Sequence, residues 1–190
     1  MPEARDAHRV AVLISGRGSN MKALVEQASG YEVVLVASNN PLAPGLEWAR
    51  NQAIPTWTWD SRGIDKLAWE AALDQSLTDH RVGTIALAGF MRILSAEFTA
   101  LWNGRIVNIH PSLLPKYRGL DTHARAIAAG DPVSGCSVHL VTKELDSGDV
   151  LAQVKVPILP GDTAETLEPR VLAAEHELYP KALSEFVARR

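Results

Sequence analysis

The apolar residues of the first 110 positions fall into short continuous runs that alternate with segments of helical spacing. Runs of β-branched and aliphatic residues predict strands at 10–14, 31–37, 54–59, 82–88 and in a run that ends at His110. Helical spacing predicts helices that begin near Met21, cover 44–51 and 65–78, and begin again after Ser95. Because strands that alternate with helices favour a parallel sheet with right-handed crossovers, the pattern predicts an α/β fold with a doubly wound, mostly parallel, Rossmann-like sheet.

After the fifth predicted strand the pattern changes. A helix over 122–129 precedes two predicted strands, 136–142 and 150–156, and a last helix starts at Thr163. Two strands joined by so short a connection should pair antiparallel, which adds an antiparallel edge to the sheet. We expect Pro180 to kink or interrupt the last helix, because proline removes a backbone donor.

Composition and charge limit the class of protein. The 190 residues are 46% hydrophobic, which is enough for one substantial core in a single domain. The 19 basic and 22 acidic residues are well mixed and give a formal charge of −3, which favours neither nucleic-acid nor membrane binding. Cys136, the single cysteine, fits a reducing compartment, so we expect a cytoplasmic protein. For the oligomeric state, a monomer and a homodimer both stay open. The first eight residues lack the apolar run of a signal peptide and are expected to form a frayed tail.

The loop after the first predicted strand, residues 15–20, reads Ser-Gly-Arg-Gly-Ser-Asn and leads directly into a helix. Glycines let the backbone turn tightly, and the first amides of the helix point toward the space above the loop. A phosphate group suits such a loop, although glycine and serine also occur in plain turns. The loop lacks the third glycine of the dinucleotide fingerprint and the Gly-Lys-Ser/Thr ending of a Walker loop.

A second loop, residues 89–94, is unusual because most of its side chains are apolar. Such a loop either packs into the core or stays open for a ligand with a flat apolar body. Lys66 lies at the start of the predicted helix 65–78, and its side chain is long enough to reach an anion. Surface lysines are also often simply solvated, so both interpretations stay open.

The run that ends at His110 brings two polar groups to the end of a strand. Pro111 stops the strand because proline cannot donate to a sheet ladder, and Asn108 and His110 leave the same face of it. An amide that donates to an oxyanion and an imidazole that exchanges a proton near neutral pH suit acyl transfer. A nearby carboxylate favours the protonated ring, and Asp146 is our candidate for it. A histidine before a proline can also be purely structural.

The remaining histidines do not predict a metal site. They are spread along the chain, at positions that include His123, His139 and His176. None forms the short-spaced ligand pair that a zinc site usually shows, so we expect no metal.

Four of these segments together resemble the folate-dependent formyltransferase superfamily. The general likeness lies in residues 108–117, Asn-Ile-His-Pro-Ser-Leu-Leu-Pro-Lys-Tyr, and in residues 145–148, Leu-Asp-Ser-Gly. The loops 15–20 and 89–94 resemble the branch whose members formylate glycinamide ribonucleotide. The likeness runs from Val10 to about Phe186, so it covers nearly the whole chain.

The resemblance implies an activity and a division of the chain. The activity is transfer of the formyl group of 10-formyltetrahydrofolate, a co-substrate, to the amine of N1-(5-phospho-D-ribosyl)glycinamide in purine biosynthesis. The fold implied is the Rossmann-like formyltransferase fold, as one domain over 1–190. Its nucleotide-phosphate-binding half would cover about 9–110 and its folate-loop half about 111–190.

Site residues are implied position by position from the family's motifs. Those implied to bind the ribonucleotide are Gly18, Ser19, Asn20 and Glu175. Those implied to bind the folate are Lys66, Met91, Arg92, Ile93, Leu94 and Asn108. The implied catalytic set is Asn108 as oxyanion donor, His110 as general acid and Asp146 as the carboxylate that tunes the histidine. Asp121 departs from the pattern, since the family often has histidine there.

Two other kinds of function stay open at this point. Methionyl-tRNA formyltransferase and formyltetrahydrofolate hydrolase share the Asn/His/Asp core, but each is expected to carry a further domain, for which this sequence shows no room. The first would also need a basic surface for tRNA, against the negative net charge. A non-catalytic nucleotide- or folate-binding module is expected to have lost Asn108, His110 or Asp146, and all three are present.

Overall fold

The computed structural model describes residues 5–190 and shows a seven-stranded sheet with helices on both faces. The elements in chain order are β1 (Asp6–Ile14), α1 (Ser19–Glu26), β2 (Glu32–Ser38), α2 (Pro44–Asn51), β3 (Thr56–Thr58), α3 (Lys66–Asp79), β4 (Val82–Leu87), α4 (Ala96–Leu101), β5 (Ile106–His110), α5 (Thr122–Ala128), β6 (Val133–Leu140), β7 (Val150–Pro157) and α6 (Ala164–Ala188).

The strands lie in the order β3-β2-β1-β4-β5-β6-β7. The first five pair parallel, β6 pairs antiparallel with β5, and β7 pairs antiparallel with β6. This arrangement confirms the predicted doubly wound sheet with an antiparallel edge. The chain leaves β1 toward β2 on one side and later returns to β4 on the other side. In open α/β sheets ligands bind beyond the carboxyl ends of the strands at this switch point, here between β1 and β4.

Two apolar cores lie on opposite faces of the sheet. Helices α1, α2 and α6 cover one face, where Leu183 is among the fully buried side chains. Helices α3 and α4 cover the other face, where Trp102 is fully buried. The strand β1 serves both cores, since Val12 faces the first and Leu13 the second, which explains the continuous apolar run over its residues 10–14. In the described part of the chain, no helix combines the length and apolar character that crossing a membrane requires.

The first strand starts earlier than its apolar residues suggest. Since β1 begins at Asp6, the prediction of a frayed tail over the first eight residues is wrong for 6–8, and residues 1–4 lie outside the described part. Asp6 pairs with Val82, and its amide donates to the Arg81 carbonyl at 3.4 Å. Gly83 permits this close pairing, because a Cβ there would lie 2.2 Å from the Asp6 carbonyl oxygen.

The last helix does not stop at Pro180, because α6 continues to Ala188. Proline cannot donate to the carbonyl four residues earlier, which is that of His176. Gln27, just past the end of α1, donates from Nε2 to this carbonyl at 3.1 Å. The packing of α1 on α6 therefore supplies the missing donor, and the prediction that Pro180 interrupts the helix is wrong.

Candidate active site

The candidate site lies at the carboxyl ends of β1, β4 and β5, and one serine joins the loops that leave the first two. Ser15 donates its amide to the Gly89 carbonyl at 3.2 Å, and its hydroxyl oxygen accepts from the Met91 amide at 2.8 Å. The same hydroxyl donates to Asn39 Oδ1 at 2.6 Å, in the loop after β2. The loop 15–20, called the glycine loop below, is thus fixed against the loop 89–94, called the apolar loop. The sequence pattern places Ser15 in the glycine loop but gives no sign of this role.

The glycine loop ends in a backbone conformation that suits glycine. Gly18 precedes α1 with a φ of 70°, in the left-handed region, and a Cβ there would lie 2.8 Å from Cε of Met21. Ser19 and Asn20 are the first two residues of α1, so their amides belong to the helix end that attracts anions. The local geometry fits the predicted phosphate contact at Gly18, Ser19 and Asn20.

Asn20 and Glu175 meet although they lie far apart in the chain. Nδ2 of Asn20 donates to Oε2 of Glu175 at 2.7 Å, and Glu175 is 5% exposed. Burial raises the pKa of Glu175 to about 7, although the hydrogen bond from Asn20 acts in the opposite direction. Within residues 5–190, the buried Oδ1 atom of Asn20 has no hydrogen-bond partner. The pair therefore places a carboxyl group beside an unpaired, buried acceptor at the end of the glycine loop.

The apolar loop is partly packed and partly open. Leu94 is buried in the core beneath α3 and α4, while Met91 is 76% and Ile93 66% exposed. Arg92 lies with its guanidinium carbon 5.6 Å from the centre of the Trp69 ring, and its Nη1 donates to the Ser61 carbonyl at 3.3 Å. Both interpretations of this loop thus hold in part, because one of its residues packs and two stay exposed.

Lys66 begins α3 and is half-buried. One turn later on the same helix, Trp69 stacks on Phe90 with ring centres 6.0 Å apart. The start of α3 therefore lies next to the apolar loop. In the described residues, no recorded hydrogen bond or ion pair joins Lys66 to the other predicted site residues.

Four polar side chains meet on one face at the end of β5: Asn108, His110, His139 and Asp146. Asn108 and His139 are directly opposite in the antiparallel pairing of β5 with β6, and their Nδ2 and Nε2 atoms are 3.2 Å apart. Nδ1 of His110 lies 3.4 Å from Oδ2 of Asp146, and Nε2 of His139 lies 3.6 Å from Oδ1. The structure thus brings together Asn108, His110 and Asp146, and it adds a histidine.

His139 orients the amide of Asn108. Its Nδ1 lies 2.8 Å from the Leu140 carbonyl, which only accepts, so Nδ1 carries the hydrogen. Burial lowers the pKa of His139 and favours the neutral ring, whose Nε2 is then an acceptor for the Asn108 amide. One amide hydrogen is held in this way and the other is left to donate. The sequence offers His139 only as a possible metal ligand, because no local pattern gives the register of β6 against β5.

His110 has an oxygen acceptor at each ring nitrogen. Its Nε2 lies 2.9 Å from the Tyr117 carbonyl, and its Nδ1 faces Asp146. The protonated ring is the form that donates at both positions. Tyr117 and Asp146 both have left-handed backbone conformations, with φ values of 55° and 48°, and Asp146 Oδ2 also accepts from the Gly119 amide at 2.9 Å. Such backbone strain is typical of functional sites.

Asp121 stands where the family often has histidine. Asp121 is exposed, precedes α5 with a φ of 57°, and makes no side-chain hydrogen bond that caps this helix.

Across residues 5–190, no three His, Cys, Asp or Glu side chains form a group that could hold a metal ion.

Comparison with known proteins identifies relatives along most of the chain. A model of the formyl transferase family matches residues 8–183. Phosphoribosylglycinamide formyltransferase of Escherichia coli strain K12 is 42% identical over 186 residues, which cover 95% of this chain and 88% of that protein. The solved structure of phosphoribosylglycinamide formyltransferase from Brucella melitensis is 49% identical, with a TM-score of 0.91, and covers 95% of this chain and 96% of its own.

Longer proteins match as well. The bovine trifunctional purine biosynthetic protein adenosine-3 is 44% identical over 180 residues, which cover 92% of this chain. This chain spans 18% of the length of that protein. The match therefore concerns one part of a larger protein.

Proposed function

This chain belongs to the formyl transferase family, and we propose that it transfers the formyl group of 10-formyltetrahydrofolate to the amine of N1-(5-phospho-D-ribosyl)glycinamide. The products are the N-formyl ribonucleotide and tetrahydrofolate, in the de novo synthesis of the purine IMP. The observation that carries the proposal is that a glycine loop suited to phosphate, an exposed apolar loop and an Asn/His/Asp cluster meet at one edge of the sheet.

The ribonucleotide occupies the β1 side of this edge. Gly18, Ser19 and Asn20 hold its phosphate, because their amides belong to the positive end of α1. Glu175 and the free Oδ1 of Asn20 accept hydrogen bonds from hydroxyl groups of the ribose. The glycinamide amine is thereby directed toward β5.

The folate occupies the β4 side. Its flat pterin ring lies against the apolar loop, with contacts from Met91, Arg92, Ile93 and Leu94. The exposed side chains of this loop gain apolar burial when the ring binds, at about 25 cal/mol for each Å² removed from water. Lys66, at the adjacent start of α3, attracts the anionic part of the bound substrates.

Formyl transfer then proceeds directly from folate to amine. The amine attacks the formyl carbon on N10, which gives a tetrahedral intermediate whose oxyanion is held by the free hydrogen of the Asn108 amide and by protonated His110. One such donor contributes about 3 to 4 kcal/mol to transition-state stabilisation. We assign Nδ1 of His110 as the donor, since Nε2 is hydrogen-bonded to the Tyr117 carbonyl, whereas Nδ1 lies 3.4 Å from Asp146 in an ion-pair contact without a hydrogen bond. Collapse of the intermediate expels tetrahydrofolate, while a water ordered by Asp146 carries the proton from the amine to N10.

The two halves of the chain divide this work. The half at about 9–110 supplies the phosphate contacts and the apolar loop, and the half at about 111–190 supplies Glu175 and the loop that carries Asp146. We propose a cytoplasmic setting, on the basis of the single, buried Cys136, and action as a monomer or homodimer.

The direct test follows the absorbance of the folate with the purified full chain, in the presence and absence of the ribonucleotide. We expect release of tetrahydrofolate only when both substrates are present. Turnover at the same rate without the ribonucleotide would contradict the transferase and indicate formyltetrahydrofolate hydrolysis instead.

A further inference from the structure

We propose that Trp69 and Glu70, two consecutive residues of α3, are positioning residues that hold the apolar loop in its folate-binding conformation. The inference rests on the proposed function, because it assigns the residues a role in folate affinity. Neither residue belongs to the predicted site, and both are buried. Each contacts a different end of the segment 90–95.

Glu70 holds the carboxyl end of this segment. One carboxylate oxygen accepts from the Ser95 amide at 2.8 Å, and the other accepts a short hydrogen bond from the Ser95 hydroxyl. The Glu70 side chain is deeply buried, since the residue is 4% exposed. Both of its recorded hydrogen bonds within residues 5–190 come from Ser95. A buried carboxylate depends strongly on such donors, because an unsatisfied one is costly.

Ser95, held by Glu70, in turn fixes the residues on both sides of it. Its hydroxyl oxygen also accepts from the Phe98 amide at 3.0 Å and caps α4. The residue before it, Leu94, is buried in the same core as Trp69. Glu70 therefore fixes the point at which the apolar loop ends and α4 begins.

Trp69 holds the other end. Its ring stacks on Phe90 with centres 6.0 Å apart, and the Arg92 guanidinium lies 5.6 Å from it. The ring is itself fixed, since Nε1 donates to the Trp59 carbonyl at 2.9 Å and Trp57 packs against it edge to face. Stacked aromatic pairs and cation–π contacts each favour one relative geometry of their partners.

The loop between these two anchors carries the exposed Met91 and Ile93 side chains. An apolar loop exposed to water would otherwise lose its open conformation by collapsing onto nearby apolar surface. When only a fraction of molecules has the binding-competent loop, the apparent dissociation constant rises in proportion. Loss of an anchor should therefore weaken folate binding selectively.

The test measures Michaelis constants of the full chain for both substrates in the Glu70→Ala, Ser95→Ala and Trp69→Leu variants. We expect KM for 10-formyltetrahydrofolate to rise about tenfold in Glu70→Ala and about fivefold in the other two, with KM for the ribonucleotide within about twofold of wild type. Glu70→Gln is the conservative variant, because its amide oxygen still accepts from the Ser95 amide. It should restore the folate KM to within about threefold of wild type.

Leu77→Ala is the matched control, since Leu77 is fully buried on α3 in the same core. It should lower the melting temperature and leave both Michaelis constants unchanged. The proposal is overturned if folded Glu70→Ala keeps the wild-type folate KM, or if both constants rise together. Should Glu70→Ala fail to fold, Ser95→Ala decides by the same criterion.

Calorimetric titration with tetrahydrofolate separates this proposal from the proposed function. Absence of ribonucleotide-dependent transfer in the wild type would refute the function alone. Weaker tetrahydrofolate binding by Glu70→Ala than by wild type would still support the anchor, and equal binding would refute it.

Discussion

The ribonucleotide end and the folate end of the proposed site are built from different kinds of structure. Asn20 and Glu175 lie on the helices α1 and α6, which pack on each other and on the sheet core. Their side chains are buried and joined by a hydrogen bond. At the folate end the pterin lies mainly against a loop, in which Met91 and Ile93 are exposed. Regular elements thus prepare one end for its ligand, whereas loops that need separate anchors form the other.

The acid–base group lies where these two kinds of structure meet. His110 belongs to the strand β5, but both of its partners, Tyr117 and Asp146, come from loops with left-handed backbone conformations. Such conformations cost about 1 to 3 kcal/mol each, and the surrounding contacts must maintain them. Chemistry should therefore depend on loop order, whereas ribonucleotide binding should not.

Replacement of His110 should produce the largest effect, because it should lower kcat strongly and leave ribonucleotide binding unchanged. We expect His110→Ala to lower kcat by about 10²- to 10³-fold, because loss of one donor to the oxyanion costs about that much. The dissociation constant for the ribonucleotide, measured by calorimetry, should stay within about twofold. His8→Ala is the control, since His8 is exposed near the amino end of β1, whereas the site lies beyond the carboxyl ends of the strands. A near-normal rate in His110→Ala would refute the general-acid role.

The buried carboxyl of Glu175 should make the stability of the ribonucleotide end depend on pH. Burial raises its pKa from 4.5 to about 7, so the folded state binds the proton more tightly than the unfolded state. Stability from this group is fully present below pH 4.5 and falls as the pH rises toward 7. At about 1.4 kcal/mol for each pKa unit, the loss amounts to about 3 kcal/mol.

Glu175→Gln stays uncharged at every pH and should remove this loss. Urea unfolding should show equal stability of variant and wild type at pH 4.5, and a gain of up to about 3 kcal/mol for the variant at pH 8. A difference between the two proteins that does not change with pH would show that Glu175 is not the responsible group.

Replacement of Asn20 should raise the Michaelis constant for the ribonucleotide and leave that for the folate unchanged. Asn20→Ala removes the hydrogen bond to Glu175 and the free Oδ1 acceptor, and hydrogen bonds to charged groups contribute about 1.5 to 3 kcal/mol. We expect KM for the ribonucleotide to rise about tenfold to a hundredfold and KM for the folate to stay unchanged. Gln27→Ala serves as control, since Gln27 also joins α1 to α6 but lies outside the predicted site. Equal effects on both Michaelis constants would remove the distinction between the two ends.

The sequence predicted the parallel part of the fold well because its signals are local. The uncharged, mostly apolar residues of β4 mark a strand buried on both faces, and Pro44 marks the start of α2, whose predicted bounds are confirmed. Signals that depend on packing were missed. The strand β6 begins at Val133, earlier than expected, because it pairs there with Pro157 of β7.

The candidate site shows the same division. Asn108 and His110 could be placed on one strand face because they are two positions apart in the chain. The approach of Asp146 needs the register of β6 and the course of the loop after it, which no local pattern encodes. His139 lies between Val138 and Leu140 in β6, and these apolar neighbours are a sequence signal from which its burial could have been expected.

The central claim, that the formyl group passes from folate to ribonucleotide, is tested most directly by tracing the formyl carbon. The full chain is incubated with 10-formyltetrahydrofolate labelled with ¹³C at the formyl carbon and with N1-(5-phospho-D-ribosyl)glycinamide, and the products are analysed by mass spectrometry. We predict that the label appears in the N-formyl ribonucleotide, one for each tetrahydrofolate released. Label recovered as free formate, with the ribonucleotide unchanged, would contradict the account.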